Sequence, residues 1–531
     1  MNTVLILGAG LMQKPAIQAA SKLGYKVAIA DGNPNAVCVP LADIFKPVDL
    51  KDREALLSFA RELDNTEGRL AGVFTAGTDF SASVSYITEK MGLPGHSFEA
   101  ALNASDKFRM RSCFAKAGVP SPRFISVTEE DAEKSADDLM CAAGFSCFPL
   151  VIKPVDNMGG RGCRMVRSEK ELSEAVKVAV QFSLTKHAIV EEYMPGREFS
   201  IDALVFDGEV TICGFADRHI YYPPYFIEMG HTMPTVLSDE DWNALAKTFR
   251  DGIKALGLTC GAAKADIKLT PKGPMIGEIA ARLSGGYMSG WTFPYASGMN
   301  LTEQALLLAL GKKPEALLSQ RVRTSVEGIW NIKTEKTSAE RAWLSIPGRI
   351  EKVVGLPESH DFLRDVLPRC YAGDTITFPV NNVGKCGNVI TCDNDYDTAV
   401  STAEKAISDI VPVLAVDKPD TDAFLAAPLD TEFPPSAFVL PLETVSAIIS
   451  DCKGKTLSSD DSIKLPEIMN PYAENIKDWN KRTIKKTLEL FENNKPSFKG
   501  MPLDLFWTIL FRGGIQGILY EAAKYTGEKN G

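Results

Sequence analysis

Two short alternating stretches, Ala265-Asp266-Ile267-Lys268-Leu269 and Ile276-Gly277-Glu278-Ile279-Ala280-Ala281-Arg282, constrain the fold more than any other feature of the chain. Side chains on a strand alternate between faces, so two such strands in a hairpin bury one row each and present the other. The presented rows hold Asp266 and Glu278, and two acids on adjacent strands can converge on one hard cation. Arg282 follows directly, a planar fork suited to an anion. This is a layout for handling phosphate. Met alone, the same acids would read as solvated edge residues, so the segments upstream decide between the two readings.

The first upstream segment is Phe148-Pro149-Leu150-Val151-Ile152-Lys153-Pro154, an apolar strand ending in lysine, followed by Val155-Asp156-Asn157-Met158-Gly159-Gly160-Arg161-Gly162. Glycines let a hairpin loop close until its N–H groups approach phosphate oxygens, and Lys153 brings a point charge to the same place. The loop reads as a phosphate lid, with a plain glycine turn as the alternative. No Gly-Lys-Ser or Gly-Lys-Thr follows at the spacing of a Walker A loop. Beyond it, the stretch from His187 to Asp202 carries Glu191-Glu192-Tyr193-Met194 and Glu198. A strand there delivers Glu191 to a segment able to pair with an adenine edge. Met194 offers a soft apolar surface, and Glu198 is placed to accept from ribose hydroxyls. The plainer alternative is a strand, turn and strand with exposed acids.

Near the N-terminus, Thr3-Val4-Leu5-Ile6-Leu7-Gly8-Ala9-Gly10 is a buried parallel strand running into a glycine turn, and Val27-Ala28-Ile29-Ala30-Asp31 ends a second strand in an acid. The pair invites a dinucleotide reading. Gln13 stands where the third fingerprint glycine belongs and Pro15 sits in the first helical turn, so the match is partial. Val73 to Asp79 is a further strand leading to a turn at the carboxyl edge of this sheet, with Thr78 and Asp79 read as caps of the next helix in preference to pocket residues. Arg218 to Pro234 reads as one loop rich in aromatics, holding two of the five histidines. In it Glu228 is suited to an amino group, and His231 to acting as a base or orienting one, against the commoner structural histidine.

The order of these parts resembles the ATP-grasp superfamily, in the branch that looks like biotin carboxylase, carbamoyl phosphate synthetase and bacterial L-amino acid ligases. The residues that carry the resemblance are Ser105-Asp106-Lys107-Phe108-Arg109-Met110-Arg111, Ala117-Gly118-Val119-Pro120-Ser121-Pro122, Ile152-Lys153-Pro154, Gly159-Gly160-Arg161-Gly162, Val190-Glu191-Glu192-Tyr193 and Gly277-Glu278-Ile279-Ala280-Ala281-Arg282. The resemblance spans residues 1–415. It implies that Lys107 and Lys153 contact ATP phosphates, that the lid of Met158, Gly159, Gly160, Arg161 and Gly162 folds over them, and that Glu191, Glu192, Tyr193, Met194 and Glu198 hold the nucleoside. It further implies that Asp266 and Glu278 bind magnesium, with manganese as an alternative. Arg282 then steadies an acyl phosphate or the substrate carboxylate, and the loop of Glu228 and His231 lines the substrate pocket. Proteins of this branch carry a Rossmann-like leading domain that generally binds no dinucleotide. One departure stands out: the family pattern Glu-x-Asn before the arginine has Ala280 at the asparagine position. Asp266 is also shorter than the usual glutamate.

The expected fold class is therefore α/β and α+β, with a Rossmann-like pre-ATP-grasp domain over residues 1–104, a two-lobed ATP-grasp domain over 105–315, and its C-terminal sheet subdomain over 316–415. Helices are expected near residues 12–23, 51–63, 80–91 and 397–410. Residues 411–440, rich in proline and acids, read as an extended connector, and a C-terminal helical extension completes 416–531. Its apolar density fits a packed cap or subunit contact better than a free tail.

The expected function is an ATP-dependent carboxylate–amine ligase that forms an amide through an acyl phosphate, with amino acids as favoured substrates and with Arg282, Lys153 and His231 in catalytic roles. Bicarbonate activation and a non-catalytic ATP-binding sensor or assembly subunit are the alternatives. A net charge of −10 argues against general nucleic-acid binding. No apolar run is long enough to span a bilayer, and Met1 leads straight into a core strand without a basic region or cleavage site, so no signal peptide is expected. Eleven scattered cysteines, an odd number without a Cys-x-x-Cys pair, suit reduced thiols in the cytoplasm. The small-molecule partners are a carboxylate and an amine; a homo-oligomer is compatible with the chain.

Overall fold

The computed structural model describes residues 2–66, 68–134 and 136–526, and the chain divides into two compact units. The first comprises Met1–Ile220, His231–Ala339 and Cys392–Tyr396; the second comprises Tyr221–Gly230, Glu340–Thr391 and Asp397–Gly531.

The first unit opens with β1 (Thr3–Leu7), β2 (Lys26–Asp31), β3 (Ile44–Pro47) and β4 (Leu70–Phe74), which form a parallel sheet in the order β3-β2-β1-β4. Every residue of β1 is buried, which is why the strand reads as an unbroken apolar run. Helices α1 (Lys14–Lys22), α2 (Arg53–Thr66) and α3 (Ser81–Met91) stand where three helices were expected. Strand order reverses between β1 and β4, so the loops after these two strands open at the kind of switch point where α/β sheets hold ligands.

Helices α4 (Phe98–Ser105) and α5 (Lys107–Ala117) lead into the second layer. Asp106 caps α5 by accepting from the Arg109 N–H at 2.9 Å, and Gly118 ends it at φ 67°, so Lys107 is presented from a fixed first turn. Four antiparallel strands follow, β5 (Phe124–Val127), β6 (Leu150–Pro154), β7 (Arg164–Val166) and β8 (Ala188–Glu192), in the order β5-β8-β6-β7. Helices α6 (Ala136–Ala143) and α7 (Glu169–Phe182) share a core with them through Leu150, Ile152, Val176 and Val190.

The site-bearing sheet contains β9 (Arg197–Phe206), β10 (Glu209–Tyr221), β11 (Ile227–Met233), β12 (Gly261–Thr270) and β13 (Gly273–Ala280), with β13-β12-β9-β10 antiparallel in that order. One of its faces is apolar: Phe199, Ile201, Ala203, Ala265, Ile267, Ile276 and Ile279 pack against Phe114 of α5 and Phe249 and Ile253 of α8 (Asp239–Leu256). The segment expected as a loop over residues 218–234 is instead mostly strand, since β10 runs to Tyr221 and the wholly buried β11 begins at Ile227. Pro223 and Pro224 occupy only the turn between them.

In the second unit, Gly348–Val354 pairs antiparallel with Thr375–Ile376 and with Val411–Leu414, and Leu363–Pro368 pairs with residues 387–391. Helices Pro419–Ala426, Leu442–Cys452, Ile484–Asn494 and Leu503–Ala523 follow. Regular structure thus enters the stretch expected as an extended connector, because Val411-Pro412-Val413-Leu414 is too short a run to display a period. The last helix is buried along most of its length, so the extension is packed rather than free; residues 527–531 of the expected extension lie outside the described residues. Among the described residues no helix is long and apolar enough to cross a membrane.

Candidate active site

The polar face of the β13-β12-β9-β10 sheet is a lattice of charges fixed by register. Glu198 faces Lys268, Ser200 faces Asp266 and Asp202 faces Lys264 across β9 and β12, and β13 sets Glu278 opposite Asp266. The next pair is Ile267 with Ile276, so Gly277 is the extra residue of a bulge that returns Glu278 to the polar face. The two acids read from the sequence therefore stand side by side. Asp266 is held by Lys264 at 2.5 Å, Arg218 at 3.2 Å and the Ser200 hydroxyl at 2.9 Å. Glu198 pairs with Arg218 and, at 3.1 Å, with Lys268.

Lys107 and Lys153 approach this face from α5 and β6. The Lys107 ammonium donates to the Asn157 carbonyl at 2.9 Å and lies 4.0 Å from Glu278. Lys153 reaches Glu191 at 2.6 Å, whose other oxygen accepts from Arg111 Nε at 2.8 Å; Arg111 also donates to the Gly277 carbonyl at 2.6 Å. The Glu191 carboxylate is thus committed to two cations in the interior, where it fixes Lys153 and ties β8 to the bulge of β13. Burial pushes its carboxyl up, but Arg111 and Lys153 more than cancel that and leave it below its ordinary value. The same contest lowers Glu278: burial and Asp266 raise it, while Lys107, Lys264 and Arg282 prevail.

The glycine-rich loop is a built hairpin between β6 and β7. Gly159, Gly160 and Gly162 all have φ between 69° and 75°, the left-handed region that a lid of this curvature requires. Arg161 folds back onto Asn157 Oδ1 and the Met158 carbonyl, each at 3.2 Å. In the expected nucleoside segment, the N–H groups of Glu192 and Tyr193 already bond the Arg123 and Pro149 carbonyls at 3.1 and 3.3 Å, and the Glu192 carboxylate pairs with Arg123. The Met194 carbonyl accepts from Lys268 at 3.2 Å.

The loop after β4 was expected to cap α3, yet the cap position is Phe80 and no side chain caps that helix. Thr78 instead bonds Thr75 and Gln13, at 2.9 and 3.1 Å. Gln13, the residue that breaks the dinucleotide fingerprint, also accepts from the Ala76 N–H at 2.9 Å and donates to its carbonyl. Asp31, the acid a ribose would need, accepts from its own neighbourhood, Ala9 N–H at 2.7 Å and Asn33 N–H at 2.8 Å. So tethered, the loop docks on the segment after β13: Ala76 bridges Leu283 in parallel, and a methyl on Gly285 would stand 3.1 Å from the Gly77 carbonyl oxygen. Asp79 is thereby brought 3.9 Å from Arg282. Burial pushes its carboxyl above the ordinary range, and the pull of Arg282 and of Lys107 and Lys264 offsets this only in part. On the other side, Asp202 accepts from Ser284 N–H at 2.9 Å and from its hydroxyl at 2.6 Å, pinning the residues that follow Arg282.

Sequence reading gave no site role to Arg111, Lys264 or Asp202, and it read Asp79 as a helix cap in preference to a pocket residue. Lys264 and Asp202 were accessible to it, since each lies in the same alternating row as a recognised residue. The two substrate candidates are divided: His231 lies on β11 in the first unit, whereas Glu228 belongs to the second, its N–H bonded to Asn382 and its carbonyl to Lys385, both at 2.8 Å.

A divalent cation suits Asp266 and Glu278. Magnesium takes one or two carboxylates and completes its shell with phosphate oxygens and water. Among the described residues no three His, Cys, Asp or Glu side chains form a metal-binding cluster. Ala280, opposite Lys264 in register, offers no side-chain ligand.

Three stretches of the chain match known domain families. Residues 1–73 match the ribonucleotide synthetase preATP-grasp domain, residues 146–290 an ATP-grasp domain, and residues 342–415 the L-amino acid ligase C-terminal domain 2. An uncharacterized protein of Sinorhizobium fredii, y4rH, is 28% identical over 45% of this chain and 48% of its own length. Carnosine synthase 1 of Gallus gallus is 25% identical over 64% of this chain and 38% of its own length, so the matches span less than half of either relative. The crystal structure of an L-amino acid ligase from Bacillus licheniformis superimposes with a TM-score of 0.65 at 22% identity, covering 78% of this chain and 99% of that one. The three matched domains, in this order along the chain, support an ATP-grasp protein with an L-amino acid ligase-like pattern.

Proposed function

We propose that the chain is an ATP-dependent, ADP-forming carboxylate–amine ligase that makes an amide through an acyl phosphate, with amino acids as substrates. The observation that carries this reading is the set of charges gathered at the sheet face: two facing acids for a cation on β12 and β13, two lysines for phosphate oxygens on α5 and β6, and one arginine in the segment after β13. Lys107 and Lys153 spread the charge of the transferring phosphoryl group, and the 158–162 lid keeps water from the activated carboxylate. Asp266 and Glu278 would hold a magnesium ion, which would supply neutralising charge to the phosphate oxygens. Arg282 holds the oxygens of the carboxylate as it is phosphorylated, its fork matched to them. Glu191 acts one step back, holding Lys153 in place.

The test is phosphate release from ATP and magnesium across single and paired amino acids, with bicarbonate included and Glu278→Ala as control. Release that requires an amino acid pair, and that falls by about 100-fold or more in the control, supports the ligase. Release with bicarbonate alone would move the assignment to a carboxylating enzyme. ATP binding without turnover across the panel would mark a binding protein.

A further inference from the structure

We propose that Asp79 holds the ammonium group of the attacking amine, beside the Arg282 guanidinium that receives the carboxylate. The proposal rests on the ligase reading and assigns the amine a place within it.

Its ground is a pair of buried atoms that face each other without bonding. Asp79 Oδ1 and Arg282 Nε stand 3.9 Å apart, too far for a hydrogen bond, and neither has a hydrogen-bond partner. The two side chains are only 9% and 10% exposed. Buried polar atoms are almost always satisfied, so two unsatisfied atoms of opposite character in one place point to a ligand. The gap is not slack in a loose loop. Gln13 clamps Ala76 and Thr78, Ala76 bridges Leu283, and Asp202 pins Ser284 from the opposite side. Both groups are therefore fixed, each by its own set of bonds.

The sign of each group selects its occupant. In an amide-forming ligation, ATP and the carboxylate bring anionic oxygens, which Asp79 repels. Cationic N–H donors come from the acceptor amine and, where the carboxylate substrate is itself an amino acid, from that substrate's own ammonium; a comparison with hydroxylamine as acceptor separates the two, because only the second is present in both arms. By the same reasoning Arg282 Nε takes an oxyanion. An ammonium on Asp79 would neighbour the carboxylate on Arg282; once it passes a proton to the Asp79 carboxylate, the freed nitrogen lone pair forms the C–N bond as the acyl C–O bond breaks, and the departing phosphate takes the second proton. Lys107, Lys264 and Glu278 lie within electrostatic reach of Asp79, so this slot adjoins the phosphate and cation end of the site. The substrate class is a primary amine carried as its ammonium, such as an amino acid or a peptide N-terminus.

Hydroxylamine separates this role from others because it traps an acyl phosphate as a hydroxamate and is uncharged at neutral pH. It therefore has no need of an acid to receive it. The full-length protein and its Asp79→Asn variant are given ATP, magnesium and each standard amino acid or β-alanine as carboxylate, first with hydroxylamine and then with a second amino acid as acceptor. Hydroxamate is measured by its ferric complex and dipeptide by mass spectrometry. The variant is expected to keep hydroxamate formation within about threefold while kcat/KM for the amino acid acceptor falls by about 100-fold. Asp79→Ser, checked for its melting temperature, repeats the comparison if the asparagine variant does not fold. Equal loss in both arms would overturn the proposal, since Asp79 would then serve the carboxylate or the fold, and so would loss in neither arm. If the wild-type protein makes neither hydroxamate nor dipeptide, the ligase reading itself fails and this proposal fails with it.

Discussion

At the scale of single residues, the site is held by buried polar groups whose partners are backbone groups, hydroxyls and charges. Asp202 is the plainest case. Its two oxygens take the N–H and hydroxyl of Ser284, two residues beyond Arg282. Asp202→Ala leaves both donors buried and unbonded, a cost of about 1–3 kcal/mol. Because the freed segment carries Arg282, turnover of ATP should fall more steeply than stability; parallel urea melts and phosphate-release assays would separate the two losses. His96 sets a second expectation. Its Nε2 faces the Ala262 carbonyl at 3.0 Å while Nδ1 accepts from the Thr259 and Cys260 N–H groups, both at 3.2 Å. Burial drives the imidazole from 6.5 down to about 4, so the folded state holds it neutral. A folded pKa below the unfolded one means that stability is complete above pH 6.5 and is lost as pH falls toward 4, by about 3 kcal/mol at roughly 1.4 kcal/mol per pH unit. Glu191, lowered from 4.5, loses its own contribution only below that value, so the two windows separate. Urea midpoints measured from neutral pH to about pH 4.5 should fall in the wild type and stay nearly flat in His96→Gln; a parallel fall in both would assign the loss to other groups.

At the scale of elements, what could be read from the sequence was what local period dictates. Alternation sets Asp266 in the polar row of its strand, whereas Glu278 reaches the same face through the Gly277 bulge, and the register makes the two direct neighbours. Local pattern failed where a distant partner decides. Thr78 and Asp79 precede a helix and look like caps, but Gln13 and Leu283, far off in the chain, draw their loop away from the helix end. Pro223 and Pro224 made a hairpin resemble a loop because proline punctuates sequence strongly even when it occupies only the turn. Gly277 was legible as a glycine but not as a bulge, since pairing belongs to two strands at once. The lid gives the test at this scale. A methyl on Gly162 would lie 2.9 Å from Phe182 Cβ and 3.0 Å from Pro154 Cγ, on a backbone at φ 69°. Gly162→Ala should therefore distort the lid and raise the KM for ATP by about 10-fold, in line with 1–2 kcal/mol of left-handed strain, while the melting temperature moves little because the loop adds few buried contacts. An unchanged KM would remove the loop from nucleotide binding.

At the scale of the whole molecule, the chain has two compact units, and the second is organised around guanidinium groups in its interior. Arg482 pairs with Asp478 at 3.2 Å and donates to the Ser408 carbonyl at 2.9 Å. Arg512, on the last helix, donates to the Phe424 and Pro434 carbonyls and the Ser436 hydroxyl at 2.9 to 3.2 Å, and stacks 4.1 Å from the Phe424 ring centre. None of these three oxygens is charged, and burial pulls Arg512 down to about 10. Such a group is a poor source of net stability in itself, because its desolvation offsets much of what its bonds supply. Its value is positional: one planar fork binds the 424–436 stretch to the final helix at three points. Arg512→Met keeps the length and apolar bulk but strands two carbonyls, so a loss of about 3 kcal/mol is expected. Hydrogen exchange read by mass spectrometry can locate it. Protection should fall in peptides from residues 419–452 and 484–523, while peptides from β9, β12 and β13 keep theirs. That outcome would establish the second unit as a cooperative folding unit in its own right, with the charged sheet face left intact. Equal loss of protection across β9, β12 and β13 would mean that the two units unfold as one, and that the C-terminal extension stabilises the nucleotide site as well as its own fold.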